Sequence, residues 1–263
     1  MSFISLNFVV LFACTFILYH TLPSRFRKAT LLTASCLFIG FYHLAFLITA
    51  LILTLTTFYL GKWIGQAKRE SGMKGIYFSG VCFLVVSWLA FRYADRLTNC
   101  HILFPLGISF YTFQAISYLT EIYWQEEEPE KSLPDFMIYM LFFMKFLSGP
   151  IERASDMLPQ LKSCKATDYT SMVYGMRLIV VGLIKKLILA DSIAPYIDGV
   201  FGSVYTASGV QLLMACLLYP IELYADFSGY TDIALGGARM LGFKLSPNFN
   251  RPFIAPVSYT HLR

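Results

Sequence analysis

The stretch TLLTASCLFIGFYHLAFLITALILTLTTFYLG, residues 30–61, contains no Asp, Glu, Lys or Arg. A helix needs about 20 mostly apolar residues to cross the hydrocarbon core of a bilayer. This run is too long for one ordinary crossing, so it predicts two membrane helices with a break near Phe41, Tyr42 and His43. The expected fold class is therefore an all-α, polytopic integral membrane helical bundle.

The composition of the whole chain supports a membrane protein. Of 263 residues, 57% are hydrophobic and only 14% are charged, whereas soluble domains are about 25% charged. The mean hydropathy is +0.59. The net charge of +5 is explained by basic cytoplasmic loops, which set the orientation of membrane proteins. We therefore expect the lipid bilayer as a partner and no nucleic acid.

Basic loops predict how the chain is oriented. PSRFRK (23–28) and GKWIGQAKRESGMK (61–74) flank the opening stretch, and the positive-inside rule places both in the cytoplasm and the N-terminus outside. The expected total is roughly seven to nine membrane segments, some re-entrant or interfacial. The other apolar segments are residues 3–22, 75–91, 102–123, 134–148, 172–190 and 209–225.

Ionisable groups within membrane segments are costly and are functional candidates by default. The first such stretch is FLSGPIERASDMLPQL (146–161), in which Glu152, Arg153 and Asp156 directly follow an apolar run. Irregular backbone at membrane depth must be covered by protein or line a water-filled cavity. Two interpretations remain open: the wall of a polar funnel, or an interfacial loop in which a carboxylate pairs with Arg153.

The second polar stretch is YPIELYADFSGYTDIALGGARMLGF (219–243). In a helix, its first two carboxylates and the Tyr230 phenol share one face, whereas Asp232 and Arg239 share another. Either these groups line a funnel, or they form a structural network in which Arg239 neutralises Asp232. The polar candidates are Glu222, Asp226, Ser228, Tyr230, Asp232 and Arg239. Small residues that allow close helix approach in lipid are Gly229, Gly236 and Gly237.

Basic side chains interrupt the apolar segment at 172–190. Arg177, Lys185 and Lys186 lie within it, which indicates an interfacial helix or a span whose lysines face the protein interior. The motifs of soluble enzymes are absent: there is no GxSxG, GxxxxGK[ST], HExxH or GxGxxG. The sequence predicts no metal site and no bound cofactor.

Four motifs together resemble the bacterial branch of the membrane-bound O-acyltransferase (MBOAT) family, the branch of alginate O-acetylation and teichoic-acid D-alanylation. The resemblance extends in order over residues 1–253, and it is closest to alginate O-acetylation. The motifs are PLGISFYTFQAISYL (105–119), LSGPIERASDMLPQL (147–161), GLIKKLILADSIA (182–194) and YADFSGYTDIALGGARMLGFKLSPNFNRPF (224–253).

The resemblance implies a helical bundle with a central polar funnel in the bacterial inner membrane. It implies transfer of an acyl group, with acetyl expected, from acetyl-CoA or another cytoplasmic acyl thioester to hydroxyls of an extracytoplasmic polysaccharide. It also implies an extracytoplasmic acyltransferase as partner, a histidine as general base and a water-poor tunnel. From the residues alone, a transporter or channel remains the alternative, because broken helices around a polar funnel fit that class too.

The resemblance stops after NFNRPF (248–253). In the family, an EFWRRWHISLS-like segment and the essential histidine follow, so no catalytic residue is assigned here. Residues 1–256 are interpreted as the N-terminal part of one truncated MBOAT domain, expected to be inactive alone. Residues 257–263, VSYTHLR, match the translation of a sequencing adapter, so His261 is not proposed as a base.

Overall fold

The computed structural model describes residues 5–67, 69–98, 105, 107–147, 149–164 and 167–248. Every regular element in these ranges is helical, and they contain no strand, so the predicted all-α class is confirmed. The elements are α1 (Leu6–Thr21), α2 (Ser24–Tyr42), α3 (Leu44–Gln66), α4 (Glu70–Thr98), α5 (Ile108–Tyr123), α6 (Leu133–Leu141), α7 (Ala154–Ser163), α8 (Tyr169–Leu183), a π-helix (Ile184–Ala190), α9 (Asp191–Gly202) and α10 (Gly209–Met240).

The long apolar run breaks where the sequence predicts. Helix α2 ends at Tyr42 and α3 begins at Leu44, with His43 between them in an extended conformation. The imidazole of His43 accepts a hydrogen bond from the backbone N–H of Ala45 at 3.2 Å. This bond satisfies one of the free N–H groups that every helix start exposes, so His43 ends one helix and caps the next.

Three helices in the described ranges are long and apolar enough to cross a membrane. Helix α1, with 16 residues, is apolar but shorter than a typical crossing helix. The chain is a membrane protein. The roughly seven to nine membrane segments expected from the sequence remain a prediction. The three helices are Leu44–Gln66, Glu70–Tyr93 and Gly209–Met240.

The chain divides into two compact units. Unit 1 holds α1 to α7 together with Leu241–Phe243. Its core is aromatic: the rings of Tyr118 and Phe136 lie 4.7 Å apart, and Phe143 packs beside Phe38 at 6.2 Å. These four side chains are fully buried. Burial of each such side chain stabilises the fold by roughly 1.5–3 kcal/mol.

The apolar segment predicted at 134–148 forms only a short helix. Helix α6 ends at Leu141, and the chain continues through buried, non-helical backbone that carries Phe142 and Phe143. The N–H of Phe143 donates to the hydroxyl of Ser35 at 3.2 Å. Such side-chain acceptors let irregular backbone lie inside a protein.

Two ion pairs join segments of unit 1 that are far apart in the sequence. Lys28, from the basic stretch 23–28 that the structure places mostly in the first turns of α2, contacts Asp135 at 2.7 Å, and Lys162 contacts Glu130 at 2.8 Å. Glu130 lies in the loop between α5 and α6, outside the membrane segments. Burial raises the pKa of Glu130, but hydrogen bonds from Lys162 and two backbone N–H groups outweigh burial and hold it below its usual range.

Unit 2 is built on a close crossing of α8 and α10. A β-carbon added to Gly182 would lie 2.6 Å from the carbonyl oxygen of Gly229, and one added to Gly175 would lie 2.6 Å from that of Gly236. No real side chain tolerates such contacts, so the helices meet backbone against backbone. This confirms the close approach predicted for Gly229 and Gly236.

Candidate functional site

The π-helix places two adjacent lysines against α10 in unit 2. Such wide turns are rare and are often found at functional sites. The side chains of Lys185 and Lys186 are only 26% and 17% exposed, and both contact carboxylates of α10. Of the two interpretations of segment 172–190, the structure therefore supports the one in which the lysines face the protein interior.

Lys185 is the cation that neutralises Asp232. Its ammonium lies 2.6 Å from the Asp232 carboxylate and 5.7 Å from the ring centroid of Tyr224. One of the two interpretations left open by the sequence gave this role to Arg239, which shares a face of the same helix with Asp232. The Arg239 guanidinium lies instead over the Tyr174 ring of α8, at 5.4 Å. Asp232 of α10 therefore pairs with a cation from a different element, the π-helix.

Lys186 joins three elements. It pairs with Asp226 of α10 and, at 2.9 Å, with Asp191 at the start of α9. Its ammonium also lies 5.5 Å from the ring centroid of Tyr230. Asp226 and Tyr230 share the helix face that the sequence predicted. Asp191 was not predicted, although its position just after two lysines in an apolar run was the available signal.

These side chains form two neighbouring charged groups along α10, one around Lys185 and one around Lys186, here together called the α10 network. Two ammonium groups face four carboxylates, because Glu222 interacts electrostatically with both Asp226 and Lys186. Ser228, which is 2% exposed, lies in the same part of α10. The excess carboxylates can accept hydrogen bonds from a hydroxyl-bearing ligand. The members of the α10 network are Lys185, Lys186, Asp191, Glu222, Asp226, Tyr230 and Asp232.

A second polar cluster lies inside unit 1. Lys145 is 3% exposed, and its ammonium lies 4.4 Å from the ring centroid of Tyr139. Glu152, 1% exposed, interacts electrostatically with Lys145, and the Tyr139 hydroxyl donates to the Glu152 carbonyl oxygen at 3.0 Å. The sequence analysis missed Lys145, although a single cation in the apolar run 134–148 is the kind of residue that marks such sites.

The structure separates the three candidates of the first polar stretch. Glu152 is buried near Lys145, whereas Arg153 and Asp156 are exposed. Arg153 precedes α7 and Asp156 lies in its first turn, where a carboxylate is favoured by the helix dipole. These three side chains therefore do not share one surface, and the charge that faces Glu152 is Lys145.

Comparison with known proteins decides the family. Over 97% of its length, the chain is 33% identical to a probable alginate O-acetylase of Azotobacter vinelandii. The chain belongs to the membrane-bound O-acyltransferase family. This MBOAT chain is also 29% identical, over 88% of its length, to a peptidoglycan O-acetyltransferase of Helicobacter pylori. Over 57% of its length it is 29% identical to a teichoic acid D-alanyltransferase of Bacillus subtilis.

The MBOAT chain spans about half the length of the curated relatives it matches. It covers 54% of the Azotobacter protein and 51% of the Helicobacter protein. No family profile matches the chain. Residues 249–263, which include His261 and the segment interpreted as adapter sequence, lie outside the described residues. The α10 network and the Lys145 cluster are the candidate sites within the part of the relatives' length that this chain covers.

Proposed function

We propose that the protein is a membrane-bound O-acyltransferase. It transfers an acyl group, acetyl in our proposal, from acetyl-CoA or another cytoplasmic acyl thioester to hydroxyls of an extracytoplasmic polysaccharide. It acts as a multi-pass protein of the bacterial inner membrane, together with an extracytoplasmic acyltransferase partner.

One observation carries the proposal: the similarity to the Azotobacter alginate O-acetylase extends over 97% of the chain. The names of the three relatives describe acyl transfer involving alginate, peptidoglycan or teichoic acid. These names support acyl transfer over a transporter or channel, which was the alternative from the residues alone.

The two polar clusters are consistent with this chemistry in different ways. The α10 network offers carboxylates that accept hydrogen bonds from hydroxyls, and its ion pairs join the π-helix to α10. The Lys145 cluster is almost inaccessible, so we assign it to positioning the non-helical segment between α6 and α7. No residue of the described chain is assigned as general base.

The test is expression of the complete gene in a bacterium that lacks its own polysaccharide O-acetylase. Ester-linked acetate on the secreted polysaccharide is measured, and isolated membranes are supplied with radiolabelled acetyl thioester. We expect acetate esters only in cells that carry the gene. Membranes that contain the protein but form no acyl ester, with or without the partner enzyme, would refute the proposal. Solute uptake without ester formation would favour a transporter.

A further inference from the structure

An apolar groove runs between α1 and α2 in unit 1. It extends from Leu22 and Phe26 at one end to Leu11 and Leu37 at the other, and none of its lining residues is charged. Along α2, Phe26 and Leu37 are separated by about 16 Å at the rise of an α-helix. The hydrocarbon core of a bilayer is about 30 Å thick, so the groove has the length of one leaflet.

The dimensions of the groove fit a hydrocarbon chain better than a protein helix. Its volume is about 300 Å³. Spread over the length given above, this volume corresponds to a cross-section of roughly 20 Å², which is the width of one extended acyl chain. An α-helix with its side chains is about 10–12 Å in diameter, so the groove is too narrow to take up a helix. Size therefore favours a lipid chain as the occupant.

The lining of the groove suits an apolar ligand. Leucine, alanine and phenylalanine side chains form most of it. Thr15 and Thr30 also line it, but their hydroxyls donate to backbone carbonyl oxygens one turn earlier in their own helices, at 2.7 Å to Leu11 and 3.0 Å to Phe26. These two hydroxyl protons are therefore not available to a polar ligand, whereas an acyl chain needs none.

A cation lies at one end of the groove. The guanidinium of Arg25 is 4.8 Å from the ring centroid of Phe26, which lines that end. The other two basic residues of the stretch 23–28 have partners within the protein: Lys28 pairs with a carboxylate of α6, and Arg27 donates to a backbone carbonyl oxygen. Among the described residues, Arg25 contacts no carboxylate. The positive-inside rule places this end of the groove on the cytoplasmic side, at the depth of the phospholipid headgroups.

We propose that this groove, together with Arg25, binds an anionic phospholipid of the cytoplasmic leaflet. One acyl chain lies along the groove, and the guanidinium donates hydrogen bonds to the headgroup phosphate. A zwitterionic headgroup carries its own ammonium, which competes with Arg25 for the phosphate, so the site prefers a lipid with net negative charge. A lipid that binds only the folded protein also stabilises it. The inference does not depend on acyl transfer and goes beyond the proposed function.

The first test uses the product of the complete gene, purified in detergent, with individual bound lipids counted by native mass spectrometry. Phosphatidylglycerol and phosphatidylethanolamine with identical acyl chains are the probes. We expect wild type to prefer phosphatidylglycerol and Arg25→Gln to weaken its binding about fivefold, which corresponds to about 1 kcal/mol per basic residue near the headgroups. Arg25→Lys should keep most of the preference. Arg69→Gln is the matched control, because Arg69 is exposed in the second basic loop, from which no residue lines the groove.

The second test fills the groove. Ala29 and Thr33 are exposed and line it, so Ala29→Phe and Thr33→Phe should each weaken the binding of both lipids at this site, because the ring occupies the space of the acyl chain. Ala90→Phe is the control, since Ala90 is exposed in α4 and does not line the groove. Inorganic phosphate should not displace phosphatidylglycerol, because it has no chain to place in the groove.

Four results would overturn the inference. They are equal binding of the two lipids by wild type, the same loss in Arg25→Gln as in Arg69→Gln, unchanged lipid binding in both groove-filling variants, and displacement of the lipid by inorganic phosphate. The second result would mean that surface charge alone attracts the lipid, and the fourth that Arg25 binds any phosphate without the groove. All variants are compared per folded protein, measured by thermal unfolding in the same detergent.

Discussion

Gly182 and Gly229 lie backbone against backbone: a β-carbon on Gly182 would lie 2.6 Å from the carbonyl oxygen of Gly229, and one on Gly229 would lie 2.9 Å from that of Gly182. The pair Gly175 and Gly236 repeats the contact further along the same two helices. Without a hydrophobic driving force between helices in lipid, close packing of this kind holds a membrane bundle together. The α10 network lies next to this crossing, because both lysines belong to the π-helix that follows α8 directly and contact α10 from there.

Substitution of Gly182 tests this crossing. Gly182→Ala forces the two backbones apart, and we expect a loss of about 1–3 kcal/mol in unfolding free energy, as for other overpacked sites. Thermal unfolding in detergent measures the effect. The control is Gly199→Ala in α9, where an added β-carbon meets nothing within 4 Å and alanine favours the helix. Equal stability of the two variants would show that the close crossing is not needed.

Lys145 and Glu152 should be strongly coupled. Both charges are buried and interact electrostatically, so removing one leaves the other less compensated, at a cost of at most about 3–5 kcal/mol, the value for a buried pair in direct contact, whereas replacing both is much less harmful. We expect Lys145→Met and Glu152→Gln each to lower the unfolding temperature sharply, and the double variant to recover much of the loss. A double-mutant cycle measures the coupling. Additive effects would mean that the two residues do not interact.

Lys186 should matter more than an ordinary surface lysine. Lys186→Met leaves Asp226 and Asp191 without their shared cation. The pair is partly exposed, so we expect a loss of about 1–2 kcal/mol, less than for a fully buried pair. Acyl transfer per folded protein should also fall, and Lys186→Arg should restore part of both. Lys131→Met is the control, since Lys131 is 88% exposed; a similar loss there would contradict a special role for the network.

The pair of Glu130 and Lys162 should stabilise unit 1 only within a defined pH window. The pKa of Glu130 is lowered, so its contribution is present above the unfolded value of about 4.3 and is lost as pH falls through the folded value. The Glu130 hydrogen bond raises the pKa of Lys162, so that contribution is present below the unfolded value of about 10.4 and is lost as pH rises through the folded value.

Unfolding temperatures measured from acid to alkaline pH check this window. The difference between wild type and Glu130→Gln should be constant between about pH 5 and 10 and should shrink on either side. Glu128→Gln serves as control, because Glu128 is 90% exposed and its lysine lies 3.9 Å away. If the difference between wild type and Glu130→Gln instead grew in acid, the pKa of Glu130 would be raised in the folded protein, contrary to this prediction.

Much of the fold follows from local pattern. The uncharged run at 30–61 predicted two helices, and the break appears at His43, because apolar length and helix capping act within a few residues. The face assignment in the stretch at 219–243 assumed a helix, and the stretch lies within α10 and the turn after it. Of the glycines expected to allow close helix approach, Gly229 and Gly236 lie against the backbone of α8.

The sequence predicted the candidate sites less well than the fold. Asp226 and Tyr230 were placed correctly on one face, because residues three or four apart in a helix are neighbours. The cations that meet this face, Lys185 and Lys186, come from a different element and were seen only as interruptions of an apolar run. The sequence analysis missed Lys145 because nothing in the apolar segment 134–148 indicates that Glu152, seven residues further along the chain, lies near it.

The sequence by itself determined that this is an all-α membrane protein, where its longest apolar run breaks, which of its residues carry charge into apolar segments, and which family it resembles. These properties depend on hydropathy, periodicity and motif order, all of which are local. Only the tertiary structure decided which charges meet, Lys185 with Asp232 and Lys186 with Asp226 and Asp191, and which buried charges lie near each other, Lys145 and Glu152. Pairing depends on how helices cross and where backbones can touch, and residues far apart in the chain set that geometry together.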